Sequence, residues 1–430
     1  MNTLIAPAEP VQRAVDFFDT VFGDRPLTQV GFELWDGTRW PDETPRAATL
    51  VLKHPDALRA MFGGGDEKSL AEAYLRDDFD VRGEIEATLE LADMMAERRH
   101  SDWFRAIRGY YQLRRTGLPT MHRRPWRMLR EIGAPLHSPV RDRQAVSFHY
   151  DLSNDFFQLW LDERMQYSCA YFEKPDVTLG AAQTAKLHHL CRKLRLKPRQ
   201  HVLDIGCGWG GFGIFAAQHF GVRVTGVTLS EKQAALATTR VRAAGLGQDV
   251  TMELRDYREL PDEATYDAIV SVGMSEHVGR KHLPDYFAKA ARMLRPGGVF
   301  LNHAISEGVR PRGDRGPSFI EEHVFPDSDI PALPIVLAAA EGAGLEVRDA
   351  ENLREHYMQT LRHWVARLEA HHEEARALVD EATYRVWRLY MAGSAHGFRT
   401  GQLAVYHVLL AKPDASGETH LPLTRHDWYA

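Results

Sequence analysis

The segment His201-Val-Leu-Asp-Ile-Gly-Cys-Gly-Trp-Gly-Gly211 concentrates residues whose spacing suits ligand chemistry. Val202, Leu203 and Ile205 read as a short buried strand. The glycines at 206, 208 and 210 then let the backbone approach a ligand where a Cβ would clash. A helix expected from Phe212 to Phe220 points its unpaired N–H groups back at the turn, which suits a carboxylate or phosphate. Asp204 stands just before the first glycine. The G-x-G-x-G spacing differs from the longer G-x-G-x-x-G pattern of dinucleotide sites, and such turns also occur as plain strand–helix connectors. The loop therefore nominates a ligand site without naming the ligand.

A regular alternation of strands and helices must position that loop. After it come a strand at Arg223–Thr228, a helix at Ser230–Ala244, and strands at Val250–Leu254 and Tyr266–Val272. A helix at Lys281–Leu294 ends at Arg295-Pro-Gly-Gly298, a strand follows at Val299–His303, and Leu345–Val347 and Leu403–Ala411 complete the set. This order predicts an α/β fold, a Rossmann-like, mostly parallel seven-stranded sheet with helices on both faces. Ligands in such folds lie at the carboxyl ends of the strands. The glycine loop, Thr228, Leu229, Ser230, Asp256, Tyr257, Glu276 and His303 all fall there. The second strand ends without the acid that a nicotinamide dinucleotide requires for its ribose. Tyr257 has two readings, a ring against an adenine or an ordinary strand-end aromatic.

At 430 residues, two domains are expected. Residues 1–97 read as a small α/β accessory domain, 98–142 as a linker and 143–430 as the catalytic module. The first part carries strand patterns at Gly31–Trp35 and Ala48–Lys53. Its helical patterns fall at His54–Phe62, Ser69–Tyr74 and Glu84–Met95. Between Arg98 and Arg130 stand ten arginines and two histidines against one acid, Asp102, interleaved with Trp103, Tyr110, Tyr111 and Trp126. Arginine with aromatic rings suits an anionic bilayer surface; a solvated linker and nucleic acid are the second and third readings. The formal net charge of −6 speaks against nucleic acid as a global partner. No apolar run reaches the length of a membrane span, and the N-terminus lacks a signal-peptide pattern. Three cysteines without metal-type spacing fit a reducing compartment. A cytoplasmic protein touching the inner membrane face is expected.

Several segments together resemble the cyclopropane fatty acid synthase family, which includes the mycolic acid cyclopropane synthases and uses S-adenosylmethionine (SAM). They are His149-Tyr-Asp-Leu-Ser-Asn-Asp-Phe-Phe157, Met165-Gln-Tyr-Ser-Cys-Ala-Tyr-Phe172, the glycine loop, Gly226-Val-Thr-Leu-Ser230, Ser275-Glu-His-Val-Gly279, His303-Ala-Ile305 and His356-Tyr-Met-Gln-Thr-Leu-Arg-His-Trp364. The resemblance runs from about 143 to 411. The N-terminal part, with Leu70-Ala-Glu-Ala-Tyr74, is similar to the lipid-handling domain of bacterial synthases that act on phospholipids. The resemblance implies methylene transfer from SAM to the cis double bond of unsaturated phospholipid acyl chains, through a carbocation deprotonated by bound bicarbonate. It implies bicarbonate ligands at Cys169, Glu276, His303, Tyr357 and the backbone around Ile305. Here His303, Tyr357 and backbone N–H groups donate, and Glu276 accepts. For SAM it implies Gly206 and Gly208 at close approach, with Asp204 beside them. Tyr167 and Ser168 meet the methionine end, Thr228, Leu229, Ser230 and Gln233 the ribose side, and Asp256 and Tyr257 the adenine. Trp209 and Trp364 suit either an acyl channel or the core, and Cys191 reads as structural. A homodimer matches the family. Alternatives are a methylene or methyl-branched product made with a partner reductase, a small-molecule methyltransferase, and a non-catalytic lipid-binding protein. Taken residue by residue, Cys169 also suits a packed thiol, Glu276 a surface or capping residue, His303 a satisfied strand end and Tyr357 a core ring.

Overall fold

The computed structural model describes residues 9–23, 27–63, 67–98, 152–311, 324 and 329–429. The basic aromatic stretch after Arg98, with the expected linker, therefore lies outside the described residues. The chain divides into two compact units, one of residues 1–128, 317–319 and 380–396, the other of the remainder. Residues 380–396, grouped by sequence with the catalytic module, cluster instead with the N-terminal unit.

In the first unit, α1 (Glu9–Phe22), β1 (Val30–Glu33), β2 (Arg39–Trp40), β3 (Ala48–Leu52), α2 (Ala57–Phe62), α3 (Glu67–Leu75), β4 (Phe79–Gly83) and α4 (Leu89–Arg98) follow in order. The sheet order is β2-β1-β3-β4. Helix α1 was not expected from the sequence, although Val11, Ala14, Phe18 and Phe22 recur at helical spacing and are buried. Phe18 stacks on Phe32 at 4.2 Å between ring centres, which fixes the helix across the sheet. The helix expected at Glu84–Met95 is instead a 3-10 turn, Ile85–Thr88, running into α4.

The second unit begins with α5 (Asn154–Trp160) and α6 (Leu179–Lys193), then alternates through β5 (His201–Ile205), α7 (Gly211–Phe220), β6 (Arg223–Thr228), α8 (Glu231–Ala243), β7 (Val250–Leu254), β8 (Tyr266–Val272), α9 (Leu283–Met293) and β9 (Leu294–Glu307). It continues with α10 (Leu333–Gly342), β10 (Glu346–Asn352), α11 (Arg354–Ala370), α12 (His372–Leu378), α13 (Glu381–Thr400) and β11 (Leu403–Ala411). The first sixteen residues of α13 fall in the first unit's 380–396 segment.

Seven strands form one sheet in the order β10-β11-β9-β8-β5-β6-β7, as the alternation predicted. The run from β9 to β7 is parallel, while β11 pairs antiparallel with both β9 and β10. Successive strand residues serve opposite faces. Val202, Val224, Leu301 and Leu409 pack under α6 and α7 with Leu187, Leu190 and Phe215. Leu203, Ile269, Phe300 and Leu410 pack on the other face with Tyr286 and Phe287 of α9. Burying each such side chain contributes roughly 1.5–3 kcal/mol, so the sheet holds its strand ends in fixed register. Gly226 on β6 is required by a close approach: a Cβ there would meet Met252 Sδ at 2.6 Å and Cys207 Cβ at 2.8 Å. Among the described residues no helix is long and apolar enough to cross a membrane.

Candidate active site

At the carboxyl ends of β5, β6 and β8 lies a cavity of about 490 Å³. The glycine loop forms its floor. Gly206, Gly208 and Gly210 all take positive φ, and a Cβ at Gly208 would meet nothing within 4 Å, so the backbone stands open to a ligand there. Tyr167, Ser168, Asp204, Thr228, Leu229, Gln233 and Tyr257 line the cavity beside Gly206 and Gly208. The sequence thus brought together nine of its eleven expected cofactor residues.

The other two serve the walls. Ser230 caps α8, its Oγ accepting from Gln233 N at 3.3 Å. Asp256 does not line the cavity; it is buried, and its carboxylate accepts from Arg258 N at 2.9 Å and from the Arg258 guanidinium at 2.7 Å. Thr228 Oγ1 donates to Gln233 Oε1 at 2.8 Å, which aligns the end of β6 with the first turn of α8. Tyr257 stands edge-on to Tyr286, its centre 5.6 Å away.

Asp204 is buried, and its Oδ2 has no hydrogen-bond partner among the described residues. Burial raises its pKa to about 7, opposed by Lys186. An acceptor so placed at a cavity wall fits the ammonium group of a methionine moiety. Lys186 itself was missed by the sequence reading. Wholly buried on α6, it donates to Gln166 Oε1 at 2.6 Å and Ser168 Oγ at 2.9 Å. Gln183, one turn earlier, donates to the carbonyl of Ser168 at 2.9 Å. These two residues shape the 166–168 segment that faces the ligand. The signal was present: Gln183, Lys186, His189 and Lys193 recur at three- and four-residue spacing on the buried side of α6.

Trp209 lines the cavity, packs on Phe157 at 5.0 Å and donates from Nε1 to Asn154 Oδ1 at 2.8 Å. Trp364 is fully buried against Trp160, Tyr167 and Tyr357. Cys191 is a packed core thiol, as expected.

None of the five residues expected to handle the proton lines this cavity, although Gly273, Met274 and His277, which surround Glu276 in the chain, do. Glu276 is buried after β8 and its Oε1 accepts the Ile305 amide at 2.7 Å. That amide is therefore already engaged by Glu276. Burial raises the Glu276 pKa to about 7, against the Ile305 hydrogen bond. Its Oε2 has no partner among the described residues. His303, two residues before Ile305 on β9, is also buried; its Nδ1 lies 2.8 Å from His407 Nε2 and its Nε2 has no partner among the described residues. Cys169 Sγ donates to the Ala170 carbonyl at 3.2 Å and reaches the Leu353 carbonyl at 3.8 Å. Burial pushes its thiol pKa up, so it is a neutral thiol and no nucleophile. Tyr357 is buried on α11 against Trp364 and Phe398.

Known proteins similar to this chain point to one family. The family model described as mycolic acid cyclopropane synthetase matches residues 137–408. A probable fatty acid methyltransferase of Pseudomonas putida is 39% identical over 400 residues, 92% of this chain and 95% of the relative. Cyclopropane-fatty-acyl-phospholipid synthase of Escherichia coli is 39% identical over 269 residues, 63% of this chain and 68% of the relative. Among solved structures, mycolic acid cyclopropane synthase CmaA1 complexed with SAH and CTAB superposes with a TM-score of 0.59 at 36% identity, covering 62% of this chain and 97% of that one. A glycine-floored cavity at the parallel strand ends, a seven-stranded sheet and a match over most of the chain converge. The protein belongs to the mycolic acid cyclopropane synthetase family of SAM-dependent methyltransferases.

Proposed function

We propose that the protein transfers a one-carbon unit from SAM to the cis double bond of unsaturated acyl chains in membrane phospholipids, closing a cyclopropane ring. The observation that carries this reading is two buried acid–base atoms without partners among the described residues, Glu276 Oε2 and His303 Nε2, next in the chain or in backbone pairing to His277 and Gly273 of the cavity wall. An alkene that takes up a methyl cation becomes a carbocation, and ring closure requires loss of a proton from the new methyl. The site must then hold a base and keep water from trapping the cation. Glu276, His303, Cys169 and Tyr357 are all buried, which provides the dry surroundings.

Bicarbonate fits these groups, because one carboxyl and one imidazole nitrogen on adjoining elements have no partner among the described residues, and one can donate while the other accepts. Bound there by Glu276 and His303, it would supply an oxygen base. The chain's own contribution is orientation: the Ile305 amide fixes one oxygen of Glu276 and leaves the other for the ligand.

A second reading keeps the cofactor and substrate but ends in a methylene or methyl-branched chain made with a partner reductase. The near-full-length match to a relative named as a fatty acid methyltransferase favours it. We further propose that Arg98–Arg130 makes a peripheral contact with an anionic membrane surface.

The deciding experiment incubates the protein with labelled SAM and vesicles of monounsaturated phospholipid, followed by mass spectrometry of the fatty acids. Gain of one CH2 with resistance to hydrogenation supports the ring; gain with a reducible double bond supports the branched product. No gain overturns both. Replacing Arg114, Arg115, Arg123 and Arg124 by glutamine should release the protein from anionic vesicles, and unchanged binding would return that stretch to a linker.

A further inference from the structure

A chain of buried polar groups stands behind His303. His303 and His407 are register partners on β9 and β11, with 2.8 Å between His303 Nδ1 and His407 Nε2. The remaining His407 nitrogen, Nδ1, has no hydrogen-bond partner among the described residues and faces Glu351 Oε2 of β10 at 3.8 Å. That oxygen also accepts from His189 Nε2 and Lys193 Nζ, each at 2.7 Å, and Lys193 continues to Asp349 Oδ2 at 2.8 Å.

His189, Glu351 and His407 have the proximity of metal ligands. Lys193 argues otherwise: its ammonium already stands at the Glu351 oxygen and supplies the positive charge a metal would bring. The group is better read as a means of placing protons. Burial holds His303 down to about 3, and Lys186 and Lys193 add to that. His407 lies well below its ordinary value, first by burial and then by His303, Lys193, His189 and Lys186. Both rings are therefore neutral. Burial works to raise Glu351, but the His189 hydrogen bond and Lys193 bring it down to about 2, so it is an anion.

Two neutral imidazoles in contact share a single hydrogen. With that hydrogen on His407 Nε2, its Nδ1 lone pair would face the Glu351 anion. With a hydrogen on His407 Nδ1, the carboxylate is met by positive charge, His407 Nε2 accepts, and His303 donates from Nδ1. We propose that Glu351 and His407 are positioning residues that hold His303 in its Nδ1–H tautomer, so that Nε2 acts as a hydrogen-bond acceptor in the proton-handling site. This reverses the donor role expected of His303. A ligand there must bring a hydrogen to His303, as the hydroxyl of bicarbonate does and nitrate does not. The catalytic consequence rests on the function proposed above; the tautomer does not.

Long-range 1H–15N spectra of the protein labelled with 15N-imidazole histidine test it directly, with His303 assigned from the signal lost in His303→Asn. The expected result is a protonated Nδ1 and a pyridine-type Nε2; a protonated Nε2 in the wild type overturns the proposal. Glu351→Gln offers His407 an amide hydrogen in place of the anion. It should move His303 toward the Nε2–H form and lower kcat about tenfold or more, with KM for SAM within about twofold. An unchanged His303 tautomer in that variant removes Glu351 from the role. Should the variant fail to fold, the wild-type spectrum still decides. An Nδ1–H tautomer in a protein that transfers no carbon to lipid would sink the proposed substrate and leave the tautomer standing.

Discussion

Along the parallel half of the second unit's sheet, several polar side chains are satisfied close by in sequence: Thr228 with Gln233, Ser230 with Gln233, Asp256 with Arg258. At the antiparallel edge they are satisfied across the chain. His303 meets His407 104 positions away, and His189 meets Glu351 162 positions away. The first half faces an open cavity and the second is closed. A cofactor that enters and leaves with every turnover is served by a preformed cleft, whereas a proton-handling site gains from exclusion of water. Local motifs build the former; only the completed sheet builds the latter.

Substitutions can break that division of labour. The largest effect is expected for Glu276→Gln at the closed edge. Lipid methylation should fall about a hundredfold to ten-thousandfold, while calorimetry finds SAM affinity near wild type. A matching loss of SAM affinity would merge the two regions into one.

Next comes pH. A glutamate that titrates near 4.5 when unfolded and about 7 in the fold keeps an extra proton in the folded state between those values. The contribution of Glu276 to stability should therefore decline by about 3 kcal/mol as pH rises through that window and level off above it, while His303 and His407, both held below their ordinary values, act in the opposite sense over its lower part. Asp204, raised from 3.8 to about 7, acts in the same sense as Glu276. Thermal unfolding of the ligand-free wild type and of Glu276→Gln across this window reads the contribution as the difference between the two slopes. An unaltered slope would mean that Glu276 is ionised in the fold.

Gly208→Ala tests the open half. At a φ of +54° the new side chain costs about 1–2 kcal/mol, and its methyl projects into free space at the loop. SAM affinity should drop about tenfold, with product partition unchanged in mass spectra. Smallest is Ser230→Ala, the loss of one helix cap, at about 1 kcal/mol by chemical denaturation. Altered chemistry in that variant would give Ser230 back its place in the cofactor site.

The same contrast explains what was legible in the sequence. The glycine loop, Thr228 and the strand alternation announce themselves because each is a local pattern, and the seven strands were all foreseen. The relay was not. His407 sits in Leu403–Ala411, an apolar run that reads as core, and Glu351 sits in a polar segment that reads as a surface edge. Pairing of β9, β11 and β10 gives them meaning. Ile305 was read as a backbone donor to a ligand, but the fold had already engaged its amide with Glu276. In the first unit, the alternating Phe79-Asp-Val-Arg82 was too short to mark a strand until β3 paired with it.

The tight backing of the glycine loop carries one more consequence. Met252 and Cys207 close on Gly226 from two sides, at distances that no side chain at 226 could share. The floor's height is thus set from beneath, by a residue absent from the cavity wall. Enlarging position 226 should lift the loop and make the cleft shallower, tuning which cofactor analogues fit without substituting any residue of the cavity wall.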